Sequence, residues 1–172
     1  MPTAVHLPRF RPAAVGALLA ALLLLMLPVL DSPAGASSVA STRVTARRMS
    51  VDQQRVVNDV NHSRRTKGKR SLGTNGTMNA RAQRWARHLA SCQCLEHRPA
   101  PVETPRGWCA AAENVGRSGD GGTLGAVHFA FMRSPGHRRN ILNSRWTALG
   151  VGVARDRAGE YFVVHAFADF SC

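Results

Sequence analysis

The sequence predicts an α+β domain in which helices pack on a small antiparallel sheet. Apolar residues recur at helical spacing between residues 51 and 91, and two apolar, strand-like runs follow one another near the C terminus. A turn at residues 156–159 separates these two runs. Helices that precede a strand hairpin along the chain are typical of domains in which the helices cover a sheet.

The first 50 residues are not expected to belong to that domain. A nearly unbroken apolar run, residues 13–30, follows two arginines and precedes an A-x-A motif that ends at Ala36. This pattern predicts a secretory signal peptide over residues 1–36; because the apolar run is long, an uncleaved membrane anchor is the alternative. Residues 37–50 are rich in Ser, Thr, Ala and Arg and are interpreted as a flexible leader. The domain itself is assigned to residues 51–172.

The first two helices are predicted from apolar positions that return once per turn. One covers residues 52–65, and the other begins after Asn75 or Thr77, either of which can cap it, and ends near residue 91. Leu72 is expected to anchor the loop between them. The core-facing positions are Val56, Val57 and Val60 in the first helix and Met78, Ala82, Trp85, Ala86 and Leu89 in the second.

A third and a fourth helix follow a long loop, residues 92–111, whose prolines argue against regular structure. The third helix covers about residues 123–133. The fourth extends from Ser134 to Leu142. Ser134 can cap this helix, and Pro135 suits its first position, where a missing N–H costs nothing.

Two strands complete the predicted fold. Residues 149–153 alternate large and small side chains, which indicates a strand whose small face lets another element approach closely. Residues 161–170 form a second apolar strand that is long enough to be central in a sheet. The turn between the two strands predicts an antiparallel hairpin.

Four cysteines, Cys92, Cys94, Cys109 and Cys172, follow the predicted cleavage site. An even number in an exported chain predicts two disulfides, and four cysteines allow three pairings. Since Cys92 and Cys94 stand only two residues apart, we expect them not to bond to each other, so that Cys109 and Cys172 each take one of them. A zinc site built from these cysteines is a weaker interpretation because the paired C-x-x-C spacing is missing.

The chain is strongly basic, with a formal net charge of +13. Basic charge favours acidic partners, which outside a cell are anionic cell-wall polymers, phospholipid head groups or nucleic acid; a merely solubilising basic surface is the alternative. The arginines are spread over several predicted helices, and no basic run is interleaved with aromatic residues. A dedicated nucleic-acid-binding module is therefore not expected.

Three polar residues in separate loops, His97, Glu113 and His137, can converge on one divalent metal ion. Neutral imidazole nitrogens and a carboxylate oxygen are the ligands that zinc takes in catalytic sites, where a water completes the coordination. Their spacing is no local metal motif, so the residues by themselves leave open whether they share a site.

An ordered set of motifs extends this argument. It consists of His97, Ala112-Glu113-Asn114-Val115-Gly116, the run from Phe131 to Leu142 and Leu149-Gly150-Val151-Gly152-Val153. Over about residues 52–170 the chain resembles the CAP superfamily of cysteine-rich secretory, antigen-five and pathogenesis-related proteins, and especially its bacterial SCP-like branch. The resemblance implies an α–β–α sandwich, with a small antiparallel sheet between helical layers, and a cleft.

The resemblance also implies which residues line the cleft. His97, His137 and Glu113 match the family's positions for a divalent metal, zinc or another, and Asn114, Ser134 and His165 are expected to line the same cleft. For His165, a position in the core is the favoured alternative. Ser134 stands where eukaryotic relatives carry a second glutamate, so the paired carboxylates needed for one kind of acid–base chemistry are missing.

Three functions follow from this reading. We favour a secreted, extracellular, monomeric binding domain whose cleft holds a divalent metal and a small amphipathic ligand such as a lipid, or an anionic component of the cell envelope. The first alternative is a metal-dependent hydrolase or protease that acts outside the cell, with Glu113 as general base. The second is a basic cell-surface-binding protein with a vestigial cleft. The sequence does not decide whether the domain is an enzyme.

Overall fold

A four-stranded sheet with helices on both faces forms the part of the chain that the computed structural model describes, residues 48–99 and 107–172. The predicted signal peptide, residues 1–36, and the leader as far as residue 47 lie outside these ranges. Within them, no helix is long and apolar enough to cross a membrane. The elements are α1 (Val51–Thr66), β1 (Gly73–Thr74), α2 (Gly76–Cys92), β2 (Ala110–Arg117), α3 (Leu124–Arg133), α4 (Pro135–Leu142), β3 (Ala148–Arg155) and β4 (Tyr161–Asp169).

The strands lie in the order β1-β3-β4-β2. β4 pairs antiparallel with β3 and with β2, which confirms the predicted hairpin and the central place of its second strand. β1 pairs parallel with β3, so the sheet is mixed rather than purely antiparallel. Neither β1 nor β2 is predicted from the sequence. β1 has only two residues, and β2 reads Ala-Ala-Ala-Glu-Asn-Val-Gly-Arg, in which apolar and polar residues do not alternate; its first two residues fall in the predicted loop 92–111.

The helices form one layer on each face of the sheet, as the predicted α–β–α sandwich requires. α2 covers one face, and α1, α3 and α4 cover the other. Successive side chains of a strand point to opposite faces, so β4 contributes to both cores. Phe162, Val164, Ala166 and Ala168 pack with α2, whereas Tyr161, Val163 and Phe167 pack with the other three helices.

Two glycines of β3 allow α2 to lie directly against the sheet. A Cβ atom at Gly150 would stand 2.5 Å from Cβ and 2.7 Å from the carbonyl carbon of Met78, and one at Gly152 would overlap the backbone carbonyl of Ala82. Both distances fall below those that real Cβ contacts show. The predicted close approach to a small-residue face is therefore confirmed, and α2 is the element that approaches.

The outer edge of β3 is closed by side-chain amides beyond the short β1. Gln53 of α1 donates from Nε2 to the carbonyl of Val151 at 2.7 Å, and Asn79 of α2 accepts from the Val151 amide at 2.9 Å. Gln83 donates to the carbonyl of Val153 at 2.6 Å and accepts from its amide at 3.1 Å. These bonds fasten both helical layers to one strand and leave fewer open groups for pairing with another strand.

A buried arginine links α1 to α4. The side chain of Arg64 is only 1% exposed, and its guanidinium donates to the carbonyls of Arg70 at 2.7 Å, Ile141 at 2.7 Å and Asn143 at 2.9 Å. Carbonyl groups at the C-terminal end of a helix have no partner within the helix. Arg64 supplies one, and it thereby fixes the position of the short helix α4.

The last residues of the predicted leader 37–50 belong to the folded domain. Ser50 caps α1: its hydroxyl accepts from the Gln53 amide at 3.1 Å, while the Gln53 side chain accepts from the Ser50 amide at 2.9 Å. This reciprocal pair is a capping box. Met49 packs against the core. Met49 and Ser50, which the prediction assigns to the leader, therefore contact the folded domain.

The disulfides join Cys92 to Cys94 and Cys109 to Cys172, so the pairing predicted from the sequence is wrong. α2 ends at Cys92, and Gln93 adopts a left-handed conformation with φ of 53°. The chain turns back at this point, and the Cα atoms of Cys92 and Cys94 lie 5.1 Å apart, within the range of a disulfide. Cys109 precedes β2 and Cys172 follows β4; the antiparallel pairing of these strands brings their Cα atoms to 5.9 Å.

Candidate functional site

A hydrogen-bonded pair, His97 and Glu113, lies at the β2 edge of the sheet. His97 follows α2, and Glu113 belongs to β2; His97 Nδ1 lies 2.8 Å from Glu113 Oε1. The His97 side chain is 62% exposed, whereas that of Glu113 is 9% exposed. The carboxylate also accepts from the backbone amide of Arg98 at 3.4 Å. Because Nδ1 faces the carboxylate, Nε2 is the ring nitrogen of His97 that is available to another ligand.

His137 lies in the first turn of α4, and its ring packs on Phe131 with the ring centroids 4.9 Å apart. Burial lowers the pKa of His137, and the electrostatic effect of the neighbouring His97 lowers it further. The imidazole is therefore neutral near pH 7, the form that binds metal ions. Two imidazoles with a carboxylate bonded to one of them fit a zinc-type ion in donor chemistry.

Asn114 fastens α4 to β2 from a fully buried position. Its Nδ2 donates to the carbonyl of His137 at 3.1 Å. Nδ2 of Asn140 in turn donates to Asn114 Oδ1 at 2.9 Å and to the Glu113 carbonyl at 3.3 Å. These bonds hold the helix that carries His137 against the strand that carries Glu113. Asn140 has no role predicted from the sequence, although it stands within the quoted Phe131–Leu142 motif.

Ser134 marks the start of α4 through its backbone. Its carbonyl accepts from the Arg138 amide at 2.9 Å, but its side chain makes no capping hydrogen bond. The predicted side-chain cap is therefore wrong, whereas Pro135 does occupy the first helical position. Ser134 is half-buried at the junction of α3 and α4.

His165 lies in the core of the domain. The sequence favours a core position for this residue over a position in the cleft. Its side chain, on β4, is 1% exposed and contacts the rings of Phe131 and Phe167, with centroids at 4.9 and 5.9 Å. Burial lowers its pKa to about 3, with smaller effects from His128 and His137. The ring is therefore neutral at any physiological pH.

A second group of potential metal ligands lies at the end of α2. Side-chain ligand atoms of His88, Cys92 and Cys94 lie within 4.8 Å of one another. The two sulfurs are bonded to each other, however, and a thiolate is the form of cysteine that binds metal. With the disulfide closed, this group does not provide a metal site.

Helices lie on both faces of a four-stranded mixed sheet, and a histidine–glutamate pair lies at its edge, which makes the domain an α–β–α sandwich with a candidate site at the sheet edge. The model of the cysteine-rich secretory protein family, CAP, matches residues 57–167, which is more than half of the chain. The chain belongs to the CAP family. No curated protein matches its sequence.

Solved structures show the same fold at low sequence identity. An outer surface protein from Borrelia burgdorferi superposes with a TM-score of 0.60 at 17% identity, over 69% of this chain and 92% of that one. An extracellular SCP-domain protein from Bacillus anthracis gives 0.56 at 21% identity, over 69% of this chain and 40% of that one. A cysteine-rich secretory protein from Staphylococcus aureus gives a TM-score of 0.50 at 19% identity, over 69% of this chain and 38% of that one. The chain thus spans less than half of the last two proteins.

Proposed function

We propose that this chain is a secreted binding domain whose cleft holds a divalent metal ion through His97 and His137. The hydrogen bond between His97 and Glu113 is the observation that carries the proposal. A carboxylate bonded to one ring nitrogen of a histidine is the usual partner of a metal-binding imidazole. The extracellular location is supported by the predicted signal peptide and by the printed descriptions of the structural neighbours as outer-surface or extracellular proteins.

Glu113 acts in this proposal by orienting His97. It accepts from Nδ1–H, which fixes the tautomer and leaves the Nε2 lone pair to the metal. His137 completes the pair of nitrogen ligands, and its lowered pKa means that protons compete little for it at pH 7. A bound divalent ion supplies positive charge that attracts the anionic head of a small amphipathic ligand or of an envelope component.

The test is the zinc affinity of purified variants, measured by titration calorimetry and by elemental analysis. We expect the His97→Ala/His137→Ala double variant to lose bound zinc, and Glu113→Gln to weaken binding by roughly 10- to 100-fold. His62→Ala, an exposed histidine of α1, is the matched control and should bind as the wild type does. Equal zinc content in the double variant and the wild type would refute the metal site. A chelator-sensitive hydrolytic activity that Glu113→Gln abolishes would instead favour an enzyme.

A further inference from the structure

An open, arginine-rich groove extends along α2 on the side of the domain where β3 has its outer edge. One cavity of about 920 Å³ lies between the start of α1 and α2, and an adjoining cavity of about 580 Å³ lies between the end of α2 and the end of β3. Arg87 lines both cavities, so they adjoin at this side chain. We call this surface the arginine groove. Its arginines are Arg48, Arg81, Arg84, Arg87, Arg155 and Arg157.

The charge of the groove is strongly positive. Among the described residues that line it, six arginines face two carboxylates, those of Asp52 and Asp156, which leaves a formal excess of +4. The Asp156 carboxylate is already engaged, because it accepts from the Glu160 amide at 2.9 Å and from Gln93 Nε2 at 3.3 Å. The groove therefore selects for an anion. Arginine in particular presents a planar fork that matches phosphate oxygens in pairs.

Its lining argues against two common classes of macromolecular partner. Gln53, Asn79 and Gln83 line the groove and already bond the open edge of β3, so a peptide finds little backbone there to pair with. None of the described residues that line the groove is aromatic, so nucleic-acid bases have no ring on which to stack. What the groove offers is a group of exposed guanidinium groups: Arg84 and Arg87 lie three residues apart on α2, a rise of about 4.5 Å along the helix axis, and Arg157 lines the far end of the same surface.

We propose that the arginine groove binds a flexible linear polymer of phosphate groups. The two adjoining cavities, of about 920 and 580 Å³, give these arginines room for several phosphate groups in succession. The groove lies at the β3 edge of the sheet, whereas His97 and Glu113 lie at the β2 edge, with β4 between these two strands. Binding here is therefore separate from metal binding in the cleft.

The test uses fluorescently labelled inorganic polyphosphate of defined length, titrated with the purified protein at several salt concentrations. Arg84→Gln/Arg87→Gln removes two exposed arginines of the groove, and Arg138→Gln/Arg139→Gln removes two exposed arginines of α4 and serves as a control of identical net charge. We expect the groove variant to bind at least about 10-fold more weakly and its salt slope to fall by roughly 1.4, about 0.7 per phosphate contact. The control should retain binding within about twofold. Arg157→Gln, at the other end of the groove, should show a smaller loss of the same kind.

Three outcomes would overturn the proposal. Equal losses in the groove variant and the control would show that binding depends on net charge alone. Tighter binding of a single-stranded oligonucleotide of equal charge would assign the groove to nucleic acid. Binding to anionic phospholipid vesicles that polyphosphate does not displace would assign the arginines to a membrane surface. Zinc affinity of the groove variant, which should equal that of the wild type, separates a failure here from a failure of the metal site.

Discussion

Replacing Gly150 by alanine tests the claim that β3 and α2 pack backbone to backbone. The new Cβ would stand 2.5 Å from Met78 Cβ, and an ordinary contact needs about 3.4 Å, so α2 must retreat by roughly 0.9 Å. A displacement of this size would stretch the 2.9 Å bond between Asn79 and the Val151 amide beyond hydrogen-bonding range.

The expected cost combines these effects. Overpacking of a tight contact costs about 1–3 kcal/mol, and each lost hydrogen bond costs about 1 kcal/mol. The smaller entropy of an unfolded chain with alanine returns about 0.4–1 kcal/mol. We therefore expect Gly150→Ala to lower the free energy of unfolding by about 1–3.5 kcal/mol, compared with a total of about 5–15 kcal/mol for an ordinary domain.

The assay is urea unfolding followed by far-UV circular dichroism, with the transition midpoint and its slope fitted separately. Gly73→Ala is the matched control, because this glycine also lies in a strand and a Cβ there would meet nothing within 4 Å. It should leave the free energy of unfolding unchanged or raise it by up to about 1 kcal/mol, through the same loss of unfolded-chain entropy. A Gly150→Ala protein as stable as this control would refute the close approach of α2 to β3.

Three further predictions concern the stability of the fold. Arg64→Met removes the buried guanidinium that links α1 to α4, so three carbonyls lose their donor. We expect this change to destabilise the domain by about 3–5 kcal/mol in the same urea assay. A loss below about 1 kcal/mol would contradict the linking role of Arg64. Cys109→Ser opens a disulfide that spans 63 residues and should lower the free energy of unfolding by about 4 kcal/mol. Cys94→Ser opens one that spans two residues and should lower it by less than about 2 kcal/mol. Equal melting temperatures of the two variants would contradict this order. His165 has a pKa of about 3 when folded and near 6.5 when unfolded, so the unfolded chain binds more protons between these values. The contribution of His165 to stability is complete above pH 6.5 and is lost on acidification, by up to about 1.4 kcal/mol per pH unit. His165→Leu should therefore make the free energy of unfolding less dependent on pH. An unchanged pH profile of the variant would contradict the role of the buried histidine.

The parts of the fold that the sequence predicts are those that depend on periodic burial. Val60 and Met78 are fully buried on their helices, as their apolar spacing indicates. β2 is not predicted because its first three residues are alanines, and its strand structure follows from pairing with β4, which lies far along the chain. The disulfide between Cys92 and Cys94 is not predicted because it depends on a left-handed residue between them. Glutamine does not usually adopt that conformation, yet Gln93 does.

The candidate site, like the fold, is predicted from the sequence only in part. His97, Glu113 and His137 are predicted through motifs, and the structure brings His97 into contact with Glu113. Metal binding stays a prediction. The burial of Asn114 and the role of Asn140 depend on how α4 docks against an edge strand. No local pattern specifies that docking, since it is set by long-range contacts such as those of Arg64.

The indole of Trp146 can serve as an intrinsic fluorescence probe of this domain. Its ring is buried, 5% exposed, and its Nε1–H donates at 2.8 Å to the carbonyl of Asn140, the residue that joins α4 to Glu113 and Asn114. The other two tryptophans, Trp85 and Trp108, are more exposed. With both replaced by phenylalanine, the emission of the remaining indole should report small movements of α4 when a ligand reaches the histidines, and should stay constant when one occupies the arginine groove.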